Sequence, residues 1–398
     1  MIRSVIVVGG GQAAAVAVRT LRRRGYDGSV LLVSEEHLPP YQRPPLSKEY
    51  LAGEEDWESL CLLPESWCAD NDVELRLNTR VTAVRGREVE PASGARLTAD
   101  ALLVATGGRP RRLPGVEGER VRYLRTVADS DRLRGDLRPG ARVVVVGGGF
   151  VGSEVASTAR SLGAEVTVLE CLPVPLQRAL GPEMGGVCAA LQRAGGVDLR
   201  TGVTVTGYAE SGDVAAVRTG EGRVVEGDVV VVGVGMLPNV EALHGFELDD
   251  GVLVDEYCRT SVPGVYAAGD VARHHHPLFG RAVRVEHFDH ASAHGMAAAK
   301  SILGQGTPYT SPHWFWSDQF GRNLQYTGHA DEWDEIVVRG EVEEFDFIAF
   351  YLRKGVLQAA FAMDRGGDVA VARQLVSARA VPDPGFLRDE DADLTELL

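Results

Sequence analysis

Short apolar runs recur along the chain where the buried strands of a parallel sheet would fall. The first, Val5-Ile6-Val7-Val8, enters Gly9-Gly10-Gly11 directly. Positions 13–24 then follow helical spacing and end in three arginines, and 29–33 is a second apolar strand followed by Glu35 and Glu36. Alternation over 74–89 predicts a small β-meander, and 101–104 a strand running into Ala105-Thr106-Gly107-Gly108. Pro110 and Pro114 punctuate a crossing. Beyond it the opening plan repeats. Val143-Val144-Val145-Val146 meets Gly147-Gly148-Gly149, a helix runs to Leu162, and the strand 165–170 ends on Glu170. The unit closes with 229–232 and Gly233-Val234-Gly235.

This pattern predicts an α/β protein with two Rossmann-like dinucleotide-binding domains and a C-terminal α+β domain. The segment 260–270, ending Ala267-Ala268-Gly269-Asp270, looks like a return to the first domain. That domain is therefore expected to be split, 1–110 with 237–311, around an inserted second domain of 111–236. From Pro312 the texture turns aromatic, with Trp314, Phe315, Trp316, Phe320, Tyr326 and Trp333. Runs at 345–352 and 356–363 predict a hairpin turning at Arg353-Lys354-Gly355, inside a third domain of 312–398. The acidic stretch 388–393 predicts a solvated tail.

Composition narrows the class. A chain of 398 residues exceeds one ordinary core. Its 44% hydrophobic and 24% charged residues suit a globular protein, and no apolar run reaches membrane-spanning length. Met1-Ile2-Arg3 before an apolar run imitates a signal peptide, but the glycines and arginines that follow fit strand, loop and helix. A net charge of −15 disfavours nucleic acid and anionic membranes as partners. The five cysteines show neither C-x-x-C nor zinc spacing, so reduced thiols in a cytoplasm are expected. Lysine occurs only at 48, 300 and 354, which draws attention to Lys48.

A glycine loop opening a helix lets backbone N–H groups and the helix dipole meet a pyrophosphate. Gly9, Gly11, Ala13 and Ala14 form the first such loop, with Glu35 placed to bind an adenosine ribose. Gly147, Gly149, Val151 and Gly152 form the second. Glu170 ends its following strand, where a carboxylate suits a free 2′-hydroxyl and repels a 2′-phosphate. Arg178 pulls the other way, and the balance favours NADH. Two dinucleotides in one chain imply electrons passing between them, hence a flavin and a nicotinamide.

Four further segments occur in order: Tyr41-Gln42-Arg43-Pro44-Pro45-Leu46-Ser47-Lys48, Ala105-Thr106-Gly107-Gly108, the Gly147 loop ending in Ser153-Glu154, and Trp314-Phe315-Trp316-Ser317-Asp318-Gln319. Together they resemble the FAD-dependent NADH:ferredoxin reductases of oxygenase systems, which have a pyridine nucleotide-disulfide oxidoreductase-like fold. The resemblance spans essentially the whole chain. It implies that NADH delivers hydride to FAD, which releases single electrons to a [2Fe–2S] ferredoxin serving a monooxygenase or ring-hydroxylating dioxygenase. It also implies roles for individual residues. Arg43 and Lys48 contact FAD, and Lys48 pairs with Glu154 near the flavin ring. Val81, Ala105 and Arg125 lie toward the adenine side, Thr106 and Gly107 also contact FAD, and Asp270 meets the ribityl chain and phosphate. His287 and Phe288 lie beside the isoalloxazine, with Trp316 closing the pocket that faces the ferredoxin. Glu154, Glu170, Arg178 and Gly235 serve NADH. An ammonium near the flavin would stabilise an anionic reduced ring, and a carboxylate would hold that lysine in place. Phe288 stands where the family often has tryptophan, and Cys171 beside Glu170 reads as a small buried thiol.

Rival readings remain. A disulfide or peroxide reductase of this fold would place a cysteine in 41–48, and none is there; an NADH-dependent quinone reductase is a further alternative. A nicotinamide-sensing interaction protein, similar to apoptosis-inducing factor, would keep the fold without fast turnover. His274-His275-His276 and His287, His290 and His294 lack cysteine or carboxylate companions at zinc spacing. They are expected as loop and helix-surface histidines, with no metal. The run Arg109-Pro110-Arg111-Arg112 is either a docking patch for an acidic ferredoxin or an ordinary solvated crossing.

Overall fold

The computed structural model describes residues 2–398. The chain folds into two compact units. One comprises the N-terminal residues up to Gln42, Trp57–Arg109 and Leu237–Phe315; the other comprises Arg43–Asp56, Pro110–Met236 and Trp316–Leu398.

The first unit is built on a five-stranded parallel sheet, in the order Val265–Ala267, Ala101–Val104, Ser4–Val8, Ser29–Val33, Val73–Arg76. Ser4–Val8 sits at the centre with Val5 to Val8 buried, as expected of a strand covered on both faces. The late strand Val265–Ala267 adds itself beside Ala101–Val104, so the chain does return to its first sheet. Helix Gln12–Arg23 packs on helix Phe288–Ile302 through small residues. Ala13, Ala14, Ala17, Ala298 and Ala299 are all buried there, and a Cβ on Gly295 would collide with the Ala13 carbonyl. An antiparallel meander of Val81–Arg85, Glu88–Pro91 and Leu97–Thr98 also belongs to this unit, as does the three-stranded sheet of Val252–Val254, Ala272–His276 and Arg281–Arg284.

The second unit repeats the parallel plan, in the order Asp198–Thr201, Glu165–Glu170, Arg142–Val146, Val229–Val232, Val121–Arg122. Its C-terminal part, from Trp316 onward, belongs to an antiparallel sheet ordered Trp314–Gln319, Arg322–Gly328, Val356–Met363, Asp346–Arg353, Glu335–Glu341. The expected hairpin is present. Lys354 (φ +49°) and Gly355 (φ +76°) make its turn, both left-handed as a tight two-residue connection requires.

The tail departs from expectation. The side chains of Arg388 to Asp391 are exposed, but buried Arg339 donates to the carbonyls of Asp389, Glu390 and Ala392 at 2.6, 3.2 and 2.8 Å. Leu387 and Leu394 are buried on either side. A charge run read as solvated is therefore pinned by its backbone, which sequence charge does not report. Among the described residues, no helix is long and apolar enough to cross a membrane.

Candidate cofactor and electron-transfer site

Both glycine loops are held open by the same geometry. Gly9 has φ +124° and Gly147 has φ +104°, and a Cβ on either would clash with a backbone carbonyl, that of Ala105 or of Gly233. The chain must be glycine at these two positions. Gly11 and Gly149 do the opposite work. A Cβ on Gly11 would meet nothing within 4 Å, and one on Gly149 only the Gly233 carbonyl at 4.0 Å. Each is the N-cap of the following helix, Gln12–Arg23 or Phe150–Ser161, and neither helix has a side-chain cap or an acidic residue in its first turn. Bare helix N–H groups beside open space form a cradle that fits a pyrophosphate. Gly152 packs the second helix onto its strand, with no room for a Cβ against the Gly147 carbonyl; Ala14 takes this place in the first loop and is fully buried. Ala13 is buried against Gly295, and Val151 is exposed on the first turn of its helix.

The strand ends differ. Glu170 is buried, and its carboxylate accepts from the amides of Gly148 (2.6 Å) and Leu172 (2.7 Å), with the Cys171 thiol donating at 3.4 Å. It is thus fixed directly beneath the second glycine loop, while Cys171 itself is exposed rather than buried as expected. In the first loop the same register falls on a different residue type. Gly9 donates to Val33 as Gly147 donates to Leu169, each at 2.8 Å, so Ser34 and not Glu35 occupies the place of Glu170. Glu35 lies one residue further on and is exposed. Arg178 is exposed at the second residue of helix Gln177–Ala194.

In the first unit Asn239 clasps the segment after strand Ala101–Val104. It accepts from Thr106 Oγ1 (2.8 Å) and donates to the Thr106 and Gly107 carbonyls at 2.9 Å each. Sequence reading passed over this asparagine. Val81 opens its strand, Asp270 follows the Gly269 turn half-buried, and Phe288 begins its helix half-buried. His287 is that helix's N-cap and stacks on Phe315 with ring centroids 4.1 Å apart.

The second unit contains the expected charge pair. Lys48 Nζ lies 3.5 Å from Glu154 Oε1, with both side chains 8% exposed. Two hydroxyls complete the carboxylate: Ser317 donates to Oε1 at 2.6 Å and Ser47 donates to Oε2. Gln319 donates to Ser317 at 2.9 Å, and Thr158 to the Ser47 carbonyl at 2.8 Å, so the pair is braced from the strand and helix beside it. Trp316 faces the lysine, 6.0 Å from Nζ to the ring centroid. Arg43 donates to the Arg125 carbonyl at 2.6 Å. Gly235 (φ +103°) accepts from the Arg111 amide at 2.8 Å.

The arginine run is partly engaged. Arg109 pairs with Glu241 and donates to Asn239 Oδ1 at 2.9 Å, Arg112 lies over the Tyr123 ring, and Arg111 is exposed.

No thiol is prepared for attack. Burial is the main force raising all five cysteines, Cys68 to about 11 and Cys188 to about 12, and Glu170 adds to it at Cys171. The histidines require a correction. His274, His276, His290 and His294 are fully buried, not on loops or a helix surface; only His275 of the triple run is exposed. Burial holds His274 down to about 2 and His294 to about 3, so both rings are neutral.

The family model described as pyridine nucleotide-disulphide oxidoreductase matches residues 3–295, and one described as reductase C-terminal matches 314–398. The chain is 39% identical over 401 residues to the 5,5′-dehydrodivanillate O-demethylase ferredoxin reductase subunit of Sphingobium sp., covering 98% of this chain and 97% of that one. It is 38% identical to the ferredoxin–NAD(+) reductase component of the anthranilate 1,2-dioxygenase system of Burkholderia cepacia, covering 99% and 98%. Among solved structures, the covalent putidaredoxin reductase–putidaredoxin complex matches with a TM-score of 0.95 at 35% identity, covering 99% of this chain and 98% of that one. With two open glycine cradles in a fold of this kind, the chain belongs to the pyridine nucleotide-disulphide oxidoreductase family.

Proposed function

We propose that this protein is the FAD-containing reductase of an oxygenase system, taking two electrons from NADH and passing them singly to a [2Fe–2S] ferredoxin. The observation that carries the reading is the pair of glycine cradles, each opening onto bare helix N–H groups at Gly11 or Gly149. The similarity to ferredoxin reductase components of oxygenase systems supports the choice of electron acceptor.

FAD, when bound, accepts hydride and supplies electrons one at a time. The residues do the rest by binding and orienting. We assign FAD to residues 1–110 and 237–311, with Gly9, Gly11, Ala13 and Ala14 at the pyrophosphate and Glu35 at the ribose. Val81, Ala105 and Arg125 take the adenine side, Asp270 the ribityl chain and phosphate, and Arg43, Thr106 and Gly107 further contacts. His287, Phe288 and Trp316 are assigned to the isoalloxazine. NADH goes to 111–236, with Gly147, Gly149, Val151 and Gly152 at its pyrophosphate, Glu170 and Arg178 at its ribose, and Glu154 and Gly235 as further contacts.

The fixed carboxylate of Glu170 supports NADH over NADPH, because a 2′-phosphate would meet a charge already locked by two amides. Lys48, buried and paired with Glu154, is assigned to stabilise negative charge on the reduced ring. None of these groups need act as acid, base or nucleophile. A cytoplasmic location is part of the proposal, supported by five cysteines with no disulfide among them.

The test is NADH-driven cytochrome c reduction by the purified flavoprotein, with and without a [2Fe–2S] ferredoxin from an oxygenase system. Strong dependence on the ferredoxin is expected. Rapid flavin reduction by NADH without transfer to any such ferredoxin would send the search to peroxide, quinone and oxygen.

A further inference from the structure

Five histidines meet inside the first unit from three parts of the chain. His274 and His276 come from strand Ala272–His276, His290 and His294 from helix Phe288–Ile302, and His313 from the segment that follows. None is more than 3% exposed. Their spacing is what brings them together. Residues two apart on a strand share a face, and residues four apart on a helix do the same. The ligand nitrogens of His274, His276 and His313 lie within 4.8 Å of one another, and those of His274, His290 and His294 do so too.

We propose that this cluster is a structural metal site that takes a divalent transition-metal ion, zinc, on His274, His276 and His313, with His290 beside them.

Hydrogen bonding selects among the five rings. The Ser311 carbonyl, which only accepts, lies 3.0 Å from His276 Nε2; that nitrogen therefore carries the proton, and Nδ1 keeps the lone pair a metal needs. His294 is arranged the other way. Its Nδ1 accepts the Gly269 amide at 3.2 Å, so in the neutral ring Nε2 bears the proton and offers a metal no lone pair. His290 Nδ1 lies 3.3 Å from the Tyr309 hydroxyl, while its Nε2 is buried with no hydrogen-bond partner. A buried ring nitrogen without a partner is costly, and with Nδ1 donating to the Tyr309 hydroxyl it presents a lone pair to a metal.

Ring geometry agrees. Metal–nitrogen bonds of about 2.0–2.1 Å in a tetrahedral centre place imidazole centroids roughly 5 Å apart. The observed separations are 5.3 Å for His274–His276, 5.7 Å for His274–His313 and 5.0 Å for His276–His313. His290 lies 4.9 Å from His274 and 5.4 Å from His313. Separations of this size suit the wide angles of tetrahedral zinc; the right angles of square-planar copper(II) or nickel(II) would bring neighbouring rings to about 4.5 Å. Neither candidate set contains a cysteine or a carboxylate, which excludes iron–sulfur clusters and oxygen-seeking cations. The ion would fasten strand Ala272–His276 to the segment carrying His313, with the helix carrying His290 alongside. It would act as a cross-link within the unit.

The test uses untagged holo-flavoprotein from zinc-supplemented growth. Elemental analysis should find one zinc per chain, and X-ray absorption a shell of nitrogen with imidazole scattering. Chelator treatment should lower the melting temperature, and zinc alone should restore it. His274→Gln should weaken zinc binding at least a hundredfold, whereas His275→Gln, altering the exposed neighbour, should leave it unchanged. Absence of bound zinc together with no saturable zinc uptake by the chelated wild-type protein would overturn the proposal. So would His274→Gln binding as tightly as wild type. Stoichiometric copper or nickel in place of zinc would overturn the choice of ion. If His274→Gln fails to retain FAD, His313→Gln and the wild-type titration decide.

Discussion

The two glycine loops share their opening and diverge where each strand ends. In both, a left-handed glycine tucks under a carbonyl and a second glycine leaves the helix N-terminus bare. The second loop then places Glu170 beneath itself, already bound to two amides. The first has Ser34 at that position and an exposed Glu35 one residue later. The pyrophosphate cradle is therefore common to both, and ribose recognition is built separately for each. A preformed acid suits a ligand that comes and goes, because no side chain must be ordered at each encounter.

The largest effects should come from glycines that touch backbone. Gly9→Ala and Gly147→Ala each combine a disfavoured φ with a collision against a carbonyl, a cost of about 3 kcal/mol or more. Loss of soluble yellow protein is expected for Gly9→Ala. Gly147→Ala should keep flavin and lose NADH-driven reduction, as measured by stopped-flow absorbance. Gly152→Ala tests the same asymmetry, since the first loop already carries alanine at its matching position, Ala14. If both loops tolerate these changes equally, the shared geometry is not what holds them.

Next come the glycines that touch nothing. Gly149→Ala has room and an allowed φ, so the fold should be unaffected: a gain of about 0.4–1 kcal/mol from the unfolded chain is offset by a poorer N-cap. Its Cβ enters the cradle, and the Kd for NADH should rise at least tenfold with flavin still bound. Gly11→Ala should do the same for FAD retention through gel filtration. Unchanged binding in both would mean that the open spaces are not where pyrophosphate lies.

The strands and loops of both units were legible because four apolar residues abutting glycine leave few alternatives. The hairpin at Lys354-Gly355 was legible for a similar reason, since apolar runs flanked a turn. What escaped depends on register or on distant partners. A one-residue offset separates Glu35 from the position Glu170 holds, and no periodicity reveals it. Ser47 and Ser317 complete the Glu154 carboxylate from opposite ends of the sequence. The burial of the histidines escaped because His274 and His276 share one face of a strand and His290 and His294 one face of a helix, and no single segment shows that the two faces meet.

A smaller effect separates the two acids. Glu170→Gln keeps one acceptor oxygen for the loop amides, and Glu170→Arg keeps none. Both should raise the KM for NADH, the arginine by about tenfold or more, worth ~1.4 kcal/mol, while admitting NADPH. Glu35→Arg should loosen FAD and leave nicotinamide preference alone. A change in preference from Glu35→Arg would show that the two ribose sites have been assigned the wrong way round.

The smallest effect is expected at the thiols, and it separates this reading from a thiol-based reductase. Burial keeps Cys68, Cys188 and Cys258 protonated, and partial burial reinforced by Glu170 disfavours a thiolate at the one exposed cysteine, Cys171. Nucleophilic or peroxide chemistry needs the thiolate. Cys61→Ser and Cys171→Ser, with alanine at the three buried sites, should therefore leave flavin reduction by NADH within about twofold of wild type. Each buried replacement removes a small apolar group and costs up to about 1 kcal/mol, so a lower melting temperature with full turnover is the expected combination. Turnover lost while flavin stays bound would instead place a sulfur in the electron path, and the cradles alone would no longer distinguish a ferredoxin reductase from its disulfide-reducing relatives.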